Sequence, residues 1–558
     1  MASGSAISLP NPALAALRVA APARVGAAAA ALSVCKKMRR LIKAFPKIPD
    51  GVARLPYLFG TVCTSGNVRF GMMRCVIIAR MLRRTKIVAT LGPSTDKADS
   101  LQQMITAGLD VARLNFSHGD HADQERRCTE LRQAAQSCGR DVGVMGDLQG
   151  PKIRVRRFEN SSVTLTRGDS FFLDSSLRER DGNAEGVGVA YDRLHRDLNA
   201  GDVLLLNDGQ MTLQVDRMDG TRVHTRVVQG GVLSDHKGIN RRGGGLSAPA
   251  LTDKDREDIV LAAKMNMDFL AVSFVRSAED VIETRRLFRE AGGQGLIVAK
   301  IERTEALDCI ESIIDAADII MVARGDLGVE MGYAELTGMQ KQIIRRTRHS
   351  NKVVITATQM MESMINNPIP TRAEVSDVAN AVMDGTDAVM LSAETAIGDY
   401  PVEVITAMSE VCVGAEKHAL ARGRTTHRLD DQFQAVDEAI AMAVMYTANH
   451  LAVKAIIALT ESGSTTLWMS RIRSDIPIYA FTPHAATSRR VTLCRGVYPV
   501  SFKVEHTDAQ ALSDDIFATL LEHKLVDVGD LVIFTKGDLS GVSGSTNSMK
   551  IISVRAPS

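Results

Sequence analysis

The chain has 558 residues, of which 45% are hydrophobic, 24% are charged and 4% are aromatic, a composition typical of a globular protein with about two to four domains. No apolar run reaches the roughly 18 residues of a membrane-spanning helix. The chain has 67 basic and 65 acidic residues. Residues 1–80 contain 12 of the basic residues and 1 of the acidic residues, so the body of the chain, residues 81–558, contains 55 basic and 64 acidic residues. This acidic body argues against nucleic acid as the main partner.

Residues 1–82 are predicted to be an extension outside the folded domains. The segment is basic, contains serine and is poor in acids, as organelle transit peptides are. A translation start at Met81 is equally consistent, because the first strand follows almost at once. In both cases the segment buries little and is predicted to be disordered. We expect a cytoplasmic location, with a mitochondrion or plastid as the alternative if the segment is a transit peptide.

From residue 83 onwards, short β-branched runs alternate with longer segments of helical period, which is typical of repeated βα units. The runs are residues 86–91, 111–117, 142–148, 269–274, 296–301, 319–323, 353–358 and 388–392. Most are apolar throughout, as expected for parallel strands covered on both faces. They predict a closed (β/α)8 TIM barrel over residues 83–153 and 248–422, with catalytic groups at the C-terminal ends of the strands.

Two further domains are predicted. Residues 154–247 contain short alternating segments broken by Gly, Asp and Asn, which indicates a small antiparallel β-barrel that forms a lid over the barrel mouth. The run Gly243-Gly244-Gly245 would suit a hinge, although such runs are more often simply loops. Residues 423–558 predict an open α/β domain with five strands, of which the third is weakened by Pro499.

Charged side chains follow two consecutive barrel strands. Glu302 and Asp326 should lie side by side, and Mg²⁺ typically takes one or two protein carboxylates together with water and phosphate oxygens. Each acid alone would more often be solvated. Lys300 lies in an apolar run and therefore needs an anion, and Arg113 brings a second cation to the same end. No dinucleotide or Walker phosphate loop is present, so the pattern indicates a phosphate or enolate centre.

The motifs around these residues resemble those of pyruvate kinases, of the bacterial type. They are residues 85–93, 113–119, 146–154, 299–302, 321–328, 356–364, 370–374 and 390–395. The resemblance extends over residues 83–554. It implies a phosphotransferase that moves the phosphoryl group of phosphoenolpyruvate to ADP, giving pyruvate and ATP in the final step of glycolysis. A homotetramer is also implied.

The resemblance further implies a role for each site residue. Mg²⁺ or Mn²⁺ would be held by Glu302 and Asp326. The catalytic residues would be Lys300, Arg113, Thr358 and Ser392. Phosphoenolpyruvate would be bound by Arg113, Lys300, Ala323, Arg324, Gly325, Asp326 and Thr358. The nucleotide would be bound by Thr90, Pro93, Asn115, His118, Arg154 and Lys237, the last from the lid. The hydroxyls of Thr358 and Ser392 would guide a proton, although hydroxyls at strand ends often cap the next helix instead.

Lys152 departs from the animal-like pattern of the family. In that pattern a K⁺ ion would be bound by Asn115, Ser117, Asp147 and the carbonyl of Leu148, and a glutamate stands at position 152. Our hypothesis is that the ammonium of Lys152 supplies the positive charge locally. We therefore predict that activity does not require K⁺.

A loop in the third domain matches the effector-phosphate loop of the family. It consists of Thr460, Glu461, Ser462, Gly463, Ser464 and Thr465. Backbone N–H groups and hydroxyls suit a phosphate monoester, whereas the Glu461 carboxylate would repel a bisphosphate sugar. We predict activation by a monophosphorylated sugar or AMP rather than by fructose 1,6-bisphosphate. The alternative is an ordinary Ser/Gly turn.

Two other functions fit the sequence less well. Another Mg²⁺-dependent barrel acting on enolates, such as an aldolase or lyase, would need neither the lid nor Lys237. An inactive relative that serves as a metabolite sensor or scaffold should have an eroded site. The site residues Arg113, Lys300, Glu302, Asp326 and Thr358 are all present.

Overall fold

The computed structural model describes residues 82–421, 433, 435–472, 474–506, 508–537 and 544–556. The predicted extension, apart from its last residue, lies outside these described residues, so both interpretations of it stay predictions. Among the helices that are described, none is long and apolar enough to cross a bilayer.

The first half of the barrel follows the predicted alternation of strand and helix. Its elements are β1 (Lys86–Thr90), α1 (Ser100–Ala107), β2 (Val111–Asn115), α2 (His121–Ser137) and β3 (Gly143–Asp147). Helix α2 begins after Asp120, whose carboxylate accepts a hydrogen bond from the backbone N–H of Asp123. Such a cap satisfies one of the free N–H groups at the start of a helix.

The insert after β3 is formed mainly of strands. Its elements are β4 (Ser162–Leu165), β5 (Ser170–Asp174), β6 (Gly186–Gly188), α3 (Leu194–Asp197), β7 (Val203–Leu206), β8 (Met211–Asp219), β9 (Arg222–Gln229), β10 (Gly231–Ser234) and β11 (Ile239–Arg241). Six strands form a sheet in the order β11-β7-β8-β9-β5-β6, and β10 pairs with β4. Only β5 and β6 pair in parallel. The insert is thus built from two sheets, where the sequence predicted one small barrel, and it has its own apolar core.

The chain then returns to complete the barrel. The elements are α4 (Asp253–Lys264), β12 (Phe269–Val272), α5 (Ala278–Glu290), β13 (Leu296–Ile301), α6 (Glu305–Asp308), α7 (Ile310–Ala316), β14 (Ile319–Ala323), α8 (Arg324–Met331), α9 (Tyr333–His349), β15 (Val353–Ala357), α10 (Arg372–Asp384), β16 (Ala388–Leu391), α11 (Ala393–Ala396) and α12 (Pro401–Ala421). The strands close in the order β1-β16-β15-β14-β13-β12-β3-β2. The prediction of a closed eight-stranded barrel is confirmed.

The C-terminal domain is an α/β sheet. Its elements are α13 (Val436–His450), β17 (Ala455–Leu459), α14 (Ser464–Ser470), β18 (Ile478–Thr482), α15 (Ala485–Val491), β19 (Val497–Ser501), α16 (Ala509–Glu522), β20 (Leu531–Gly537) and β21 (Thr546–Ser553). The strand order is β19-β18-β17-β20-β21. Pro499 lies in β19, which forms the edge of the sheet. An edge strand tolerates proline because its free side needs no ladder hydrogen bond.

One apolar cluster joins the interior of the barrel to the C-terminal domain. It contains Met145 and Met321 from barrel strands together with Val444 of α13 and Ile456 of β17. A buried ion pair lies at the same junction, where the guanidinium of Arg471 is 2.6 Å from the carboxylate of Asp387. The C-terminal domain therefore packs on the end of the barrel opposite to the strand C-termini.

Glu416 of α12 is a second polar connection at this junction. Its carboxylate accepts hydrogen bonds from the backbone N–H groups of Arg84, at 3.1 Å, and Thr85, at 2.7 Å. It also lies 3.7 Å from Arg495 of the C-terminal domain. Burial opposes ionisation, but the cations Arg495 and Arg84 and these hydrogen bonds outweigh it and hold the pKa of Glu416 below its usual range. The carboxylate therefore remains charged at neutral pH.

Candidate active site

Glu302 and Asp326 lie at neighbouring positions of the barrel mouth. Strands β13 and β14 pair directly, with Ile301 opposite Val322. Glu302 is the residue after β13, and Asp326 lies in the first turn of α8, which begins where β14 ends. The register of two parallel strands thus brings the two carboxylates to the same edge.

Lys300 is a buried cation beside this pair, with a relative exposure of 8%. Its Nζ lies 2.6 Å from Ser273 Oγ, 3.0 Å from Glu302 Oε1 and 3.2 Å from Asp147 Oδ1. Burial favours the neutral amine, but the charges of Asp147 and Glu302 outweigh it and raise the pKa of Lys300. The side chain is therefore held as an ammonium ion.

Arg113 of β2 shares Asp147 with Lys300. The Arg113 Nε lies 2.6 Å from Asp147 Oδ2, and its Nη1 donates to Thr90 Oγ1 at 3.0 Å. Burial alone would raise the pKa of Asp147, but Lys300 and Arg113 hold it below its usual range. Two cations from different strands are thus fixed on one buried carboxylate.

The environment of Glu302 favours an additional positive charge. Glu302 has a relative exposure of 3%, and its Oε2 accepts a hydrogen bond from the backbone N–H of Phe274 at 2.7 Å. Burial raises its pKa, and the negative charges of Asp326 and Asp147 add to this in spite of the attraction of Lys300. A divalent cation between Glu302 and Asp326 would relieve this repulsion, so the residues present fit such an ion.

The described residues contain no group of three or more His, Cys, Asp or Glu side chains arranged to hold a metal ion. At the barrel mouth the protein could therefore offer a metal ion two carboxylates, those of Glu302 and Asp326. That number suits Mg²⁺, which usually completes its coordination with water and substrate oxygens.

Lys152, which follows β3, lies against Asp326. Its Nζ is 2.9 Å from Asp326 Oδ1 and 3.7 Å from Asp208 Oδ1 of the insert. Asp208 was not identified from the sequence. It sits in a turn where both Asn207 and Asp208 have left-handed backbone conformations, with φ values of 50° and 52°. Local strain of this kind is common at functional sites, but a loop sequence alone does not show where such a turn points.

Three of the four residues predicted to bind K⁺ have protein partners for their oxygens, and Lys152 is not among these partners. Asp147 is paired with Arg113 and Lys300, as described above, and the carbonyl of Leu148 accepts from Ser273 Oγ at 2.7 Å. Asn115 Oδ1 accepts from the backbone N–H of Ser117 at 3.1 Å. The ammonium of Lys152 therefore lies beside Asp326, to which it donates a hydrogen bond at 2.9 Å.

The backbone around the start of α8 meets the end of β15. Ala323 precedes the helix and Arg324 opens it. The N–H of Gly325 donates to Thr358 Oγ1 at 2.8 Å. The side chain of Arg324 donates to the carbonyl of Thr358 at 2.7 Å and lies 2.6 Å from Asp377. Because these protein groups occupy the guanidinium of Arg324, its backbone is the part left for a substrate.

Ser392 occupies the cap position of α11, but its side chain makes no capping hydrogen bond. Its backbone N–H donates to Glu394 Oε2 at 2.6 Å, and the other Glu394 oxygen accepts from the N–H of Met361 at 3.2 Å. Glu394 therefore ties the ends of β15 and β16 together. Glu394 could not be assigned a role from the sequence, although it lies within the motif of residues 390–395.

The predicted nucleotide residues come from the ends of barrel strands and from the insert. Thr90 and Asn115 end β1 and β2, and Pro93 opens a short 3-10 turn. Burial and the nearby cations Arg154 and Arg113 lower the pKa of His118, so its imidazole is neutral at pH 7. The backbone of Lys237 pairs with the segment after Arg154, with its carbonyl 2.9 Å from the N–H of Val155.

The predicted effector loop lies apart from this site, between β17 and α14. It borders a cavity of about 180 Å³ whose lining includes Thr460, Ser462, Ser464, Thr465, Lys536 and Thr546. Gly463 has a left-handed φ of 90°, and a Cβ there would lie 2.8 Å from Val491. Glu461 lies 2.5 Å from His484.

The fold and the mouth together define a class: a (β/α)8-barrel enzyme with an inserted domain, a C-terminal domain and a charge arrangement suited to metal-assisted chemistry on an anionic substrate. Two family models match the chain, the pyruvate kinase barrel domain over residues 82–405 and the pyruvate kinase alpha/beta domain over residues 438–552. The chain belongs to the pyruvate kinase family, and it is a transferase of the kinase type.

Curated relatives match this chain over most of its length. It is 53% identical over 481 residues to "Pyruvate kinase II" of Salmonella typhimurium, covering 86% of this chain and 100% of the relative. It is 51% identical over 477 residues to "Pyruvate kinase" of Buchnera aphidicola subsp. Schizaphis graminum, covering 85% and 99%. A "Pyruvate kinase" of Geobacillus stearothermophilus is 42% identical over 474 residues, covering 84% and 80%.

Proposed function

We propose that this chain transfers the phosphoryl group of phosphoenolpyruvate to ADP and releases pyruvate and ATP. Family membership supports the reaction. The observation that carries it is the buried ammonium of Lys300, shared by Asp147 and Glu302 beside Asp326. Mg²⁺ or Mn²⁺ would be held by Glu302 and Asp326, and when bound it would neutralise charge on the phosphate and carboxylate of the substrate.

The protein's own residues would divide the work at the substrate. Arg113 and Lys300 place fixed positive charges where the transferring phosphoryl group carries its negative charge, which is the main form of catalysis in such reactions. Lys300 would also stabilise the enolate oxygen that remains. The hydroxyls of Thr358 and Ser392 would guide a proton to the enolate carbon.

Backbone groups and the lid would complete the site. The backbone N–H of Asp326 at the start of α8 would donate a hydrogen bond to the substrate carboxylate, because a helix N-terminus favours an anion, whereas the N–H of Gly325 already donates to Thr358 Oγ1. The nucleotide would lie between Thr90, Pro93, Asn115 and His118 on the barrel and Arg154 and Lys237 on the lid. Closure of the lid would exclude water from the reaction.

A coupled assay with the purified chain, Mg²⁺ and phosphoenolpyruvate tests this proposal. Pyruvate should form only when ADP is present, together with an equal amount of ATP. Pyruvate formation without ADP would indicate a lyase or phosphatase. No turnover under any condition would indicate a sensor or scaffold.

We also propose that catalysis does not require K⁺. Lys152 Nζ, 2.9 Å from Asp326, adds a permanent positive charge to a site that is rich in carboxylates. Initial rates in tetramethylammonium buffer should therefore stay above about a tenth of those in K⁺ buffer. In the Lys152→Glu variant a further carboxylate faces Asp326 and Glu302, and activity should fall at least about tenfold unless K⁺ is added.

The matched control for this experiment is Lys264→Glu, since Lys264 is an exposed lysine that pairs with Glu125 on the outer surface. Its rate should be the same in both buffers. Equal rates for Lys152→Glu with and without K⁺ would show that the charge at position 152 does not replace the ion.

For the C-terminal cavity we propose a phosphorylated effector carrying one phosphate group, such as a sugar monophosphate or AMP. The loop hydroxyls and Lys536 suit one phosphate, whereas the carboxylate of Glu461 opposes a second. Calorimetry should show binding of AMP or glucose 6-phosphate and weaker binding of fructose 1,6-bisphosphate. Tight binding of the bisphosphate that disappears in a Ser464→Asp variant would contradict this proposal.

A homotetramer and a cytoplasmic location remain proposals based on the family resemblance. Light scattering of the purified chain checks the first. N-terminal sequencing of the natively expressed protein checks the second, because it shows whether residues 1–80 are retained, removed or never translated.

A further inference from the structure

Two consecutive residues at the end of β15 have left-handed backbone conformations. The φ angles of Thr358 and Gln359 are 66° and 52°. Neither residue is glycine, and the branched Cβ of threonine makes this region particularly unfavourable. Such a conformation persists only where the surrounding structure fixes it.

The side chain of Arg324 supplies that constraint. Its Nε donates to the carbonyl of Ala357 at 3.2 Å, and its Nη2 donates to the carbonyls of Thr358 at 2.7 Å and Gln359 at 3.2 Å. Its Nη1 lies 2.6 Å from Asp377 on α10. A planar guanidinium with five donors can hold three successive carbonyls in one fixed arrangement, which a lysine cannot do.

This arrangement also sets the direction of the Thr358 hydroxyl. Thr358 Oγ1 accepts from the N–H of Gly325 at 2.8 Å and donates to the carbonyl of Ala357 at 2.7 Å. Arg324, which precedes Gly325 in α8, binds the same carbonyl of Ala357. The backbone turn and the hydroxyl therefore form one connected unit, and Arg324 lies behind it with a relative exposure of 7%.

We propose that Arg324 is a positioning residue for the reaction, and that it acts by holding Thr358 in the left-handed turn that presents its hydroxyl to the substrate. Asp377 serves as the counter-ion that keeps the guanidinium in place. This inference rests on the proposed function in one respect, namely that Thr358 takes part in delivering the proton.

A double-mutant cycle of Arg324 and Thr358 tests whether Arg324 acts by positioning Thr358 or has an independent role in the reaction. Thr358→Ala should lower kcat by about 10²-fold through loss of the proton-guiding hydroxyl. Arg324→Lys keeps the positive charge but loses the planar set of donors that binds three carbonyls. It should lower kcat by about 10-fold to 10²-fold with little change in the KM for phosphoenolpyruvate. Because both changes act through one hydroxyl, the double variant should be no slower than Thr358→Ala alone.

A second measurement reports on proton transfer directly. The exchange of the methyl hydrogens of pyruvate for deuterium in D₂O can be followed by NMR. In this exchange a C–H bond breaks to form the enolate, and a deuteron then adds to the same carbon. Arg324→Lys should slow this exchange by the same factor as kcat. A purely structural role would lower the melting temperature without this parallel loss.

Arg285→Lys is the matched control. Arg285 also joins an aspartate to a backbone carbonyl, with 2.7 Å to Asp318 and 2.7 Å to the carbonyl of Ala316, but away from the mouth. Its kcat and exchange rate should equal those of the unmodified chain.

The outcomes distinguish the inference from the proposed function. If Thr358→Ala leaves kcat unchanged, the proton role of Thr358 fails and the inference fails with it. If Thr358→Ala is slow but Arg324→Lys is not, or the two losses multiply, the role of Thr358 stands and positioning by Arg324 is wrong. Should Arg324→Lys fail to fold, Asp377→Asn replaces it, with a smaller loss expected in both kcat and exchange and again no further loss beside Thr358→Ala.

Discussion

The Lys300→Met variant is expected to turn over at least about 10³-fold more slowly than the unmodified chain, because one fixed charge at a developing anion contributes a factor of that order. Methionine fills a similar volume but cannot donate to Ser273 or neutralise Asp147 and Glu302. The enolate oxygen and the transferring phosphoryl group would both lose a cation. Steady-state kinetics with phosphoenolpyruvate and ADP measure the loss, and circular dichroism checks that the fold is retained.

Two further variants make this experiment decisive. Lys300→Arg keeps the charge but not the compact geometry, so its activity should lie between those of Lys300→Met and the unmodified chain. Lys264→Met removes an exposed lysine on the outer surface and should leave kcat unchanged. A folded Lys300→Met enzyme with more than a tenth of the original kcat would contradict the assignment of Lys300.

Replacing either acidic residue of the mouth should weaken the binding of a divalent ion strongly. An amide keeps the size of the side chain but lacks the negative charge that a hard cation requires. We expect Asp326→Asn and Glu302→Gln each to raise the dissociation constant for Mn²⁺ by at least about tenfold and to lower kcat by about 10²-fold or more. Electron paramagnetic resonance of free Mn²⁺ measures binding in the absence of substrates.

Asp384→Asn serves as the control for this pair. Asp384 pairs with Lys341 at 2.6 Å on the outer helices, so its loss should change neither Mn²⁺ binding nor turnover. Unaltered Mn²⁺ binding in both Asp326→Asn and Glu302→Gln would show that the ion is held elsewhere.

Sequence patterns were sufficient to locate the barrel strands. The predicted runs 296–301 and 319–323 coincide with β13 and β14, because parallel strands covered on both faces leave unbroken apolar stretches in the sequence. The short strands Gly186–Gly188 and Ile239–Arg241 were missed. Three residues with glycine or polar side chains show no period, and their pairing depends on partners far along the chain.

The sequence predicted which residues come together at the candidate site better than it predicted how their side chains are arranged. Glu302 and Asp326 could be placed together because strand ends of one barrel converge on one mouth. The direction of the Arg324 side chain could not be inferred, since it depends on carbonyls that face it only after Thr358 adopts a left-handed turn. Likewise, the contact of Lys152 with Asp326 depends on how the chain turns as it enters the lid.

The apolar cluster shared by the barrel and the C-terminal domain closes one end of the barrel. The barrel residues alone do not close that end. A truncated chain ending near residue 421 would uncover apolar residues of this cluster at the starts of barrel strands, such as Phe269 and Ile319, and such a fragment should aggregate. Any different C-terminal domain that is fused to this barrel must therefore bring an apolar surface that covers the same strand ends.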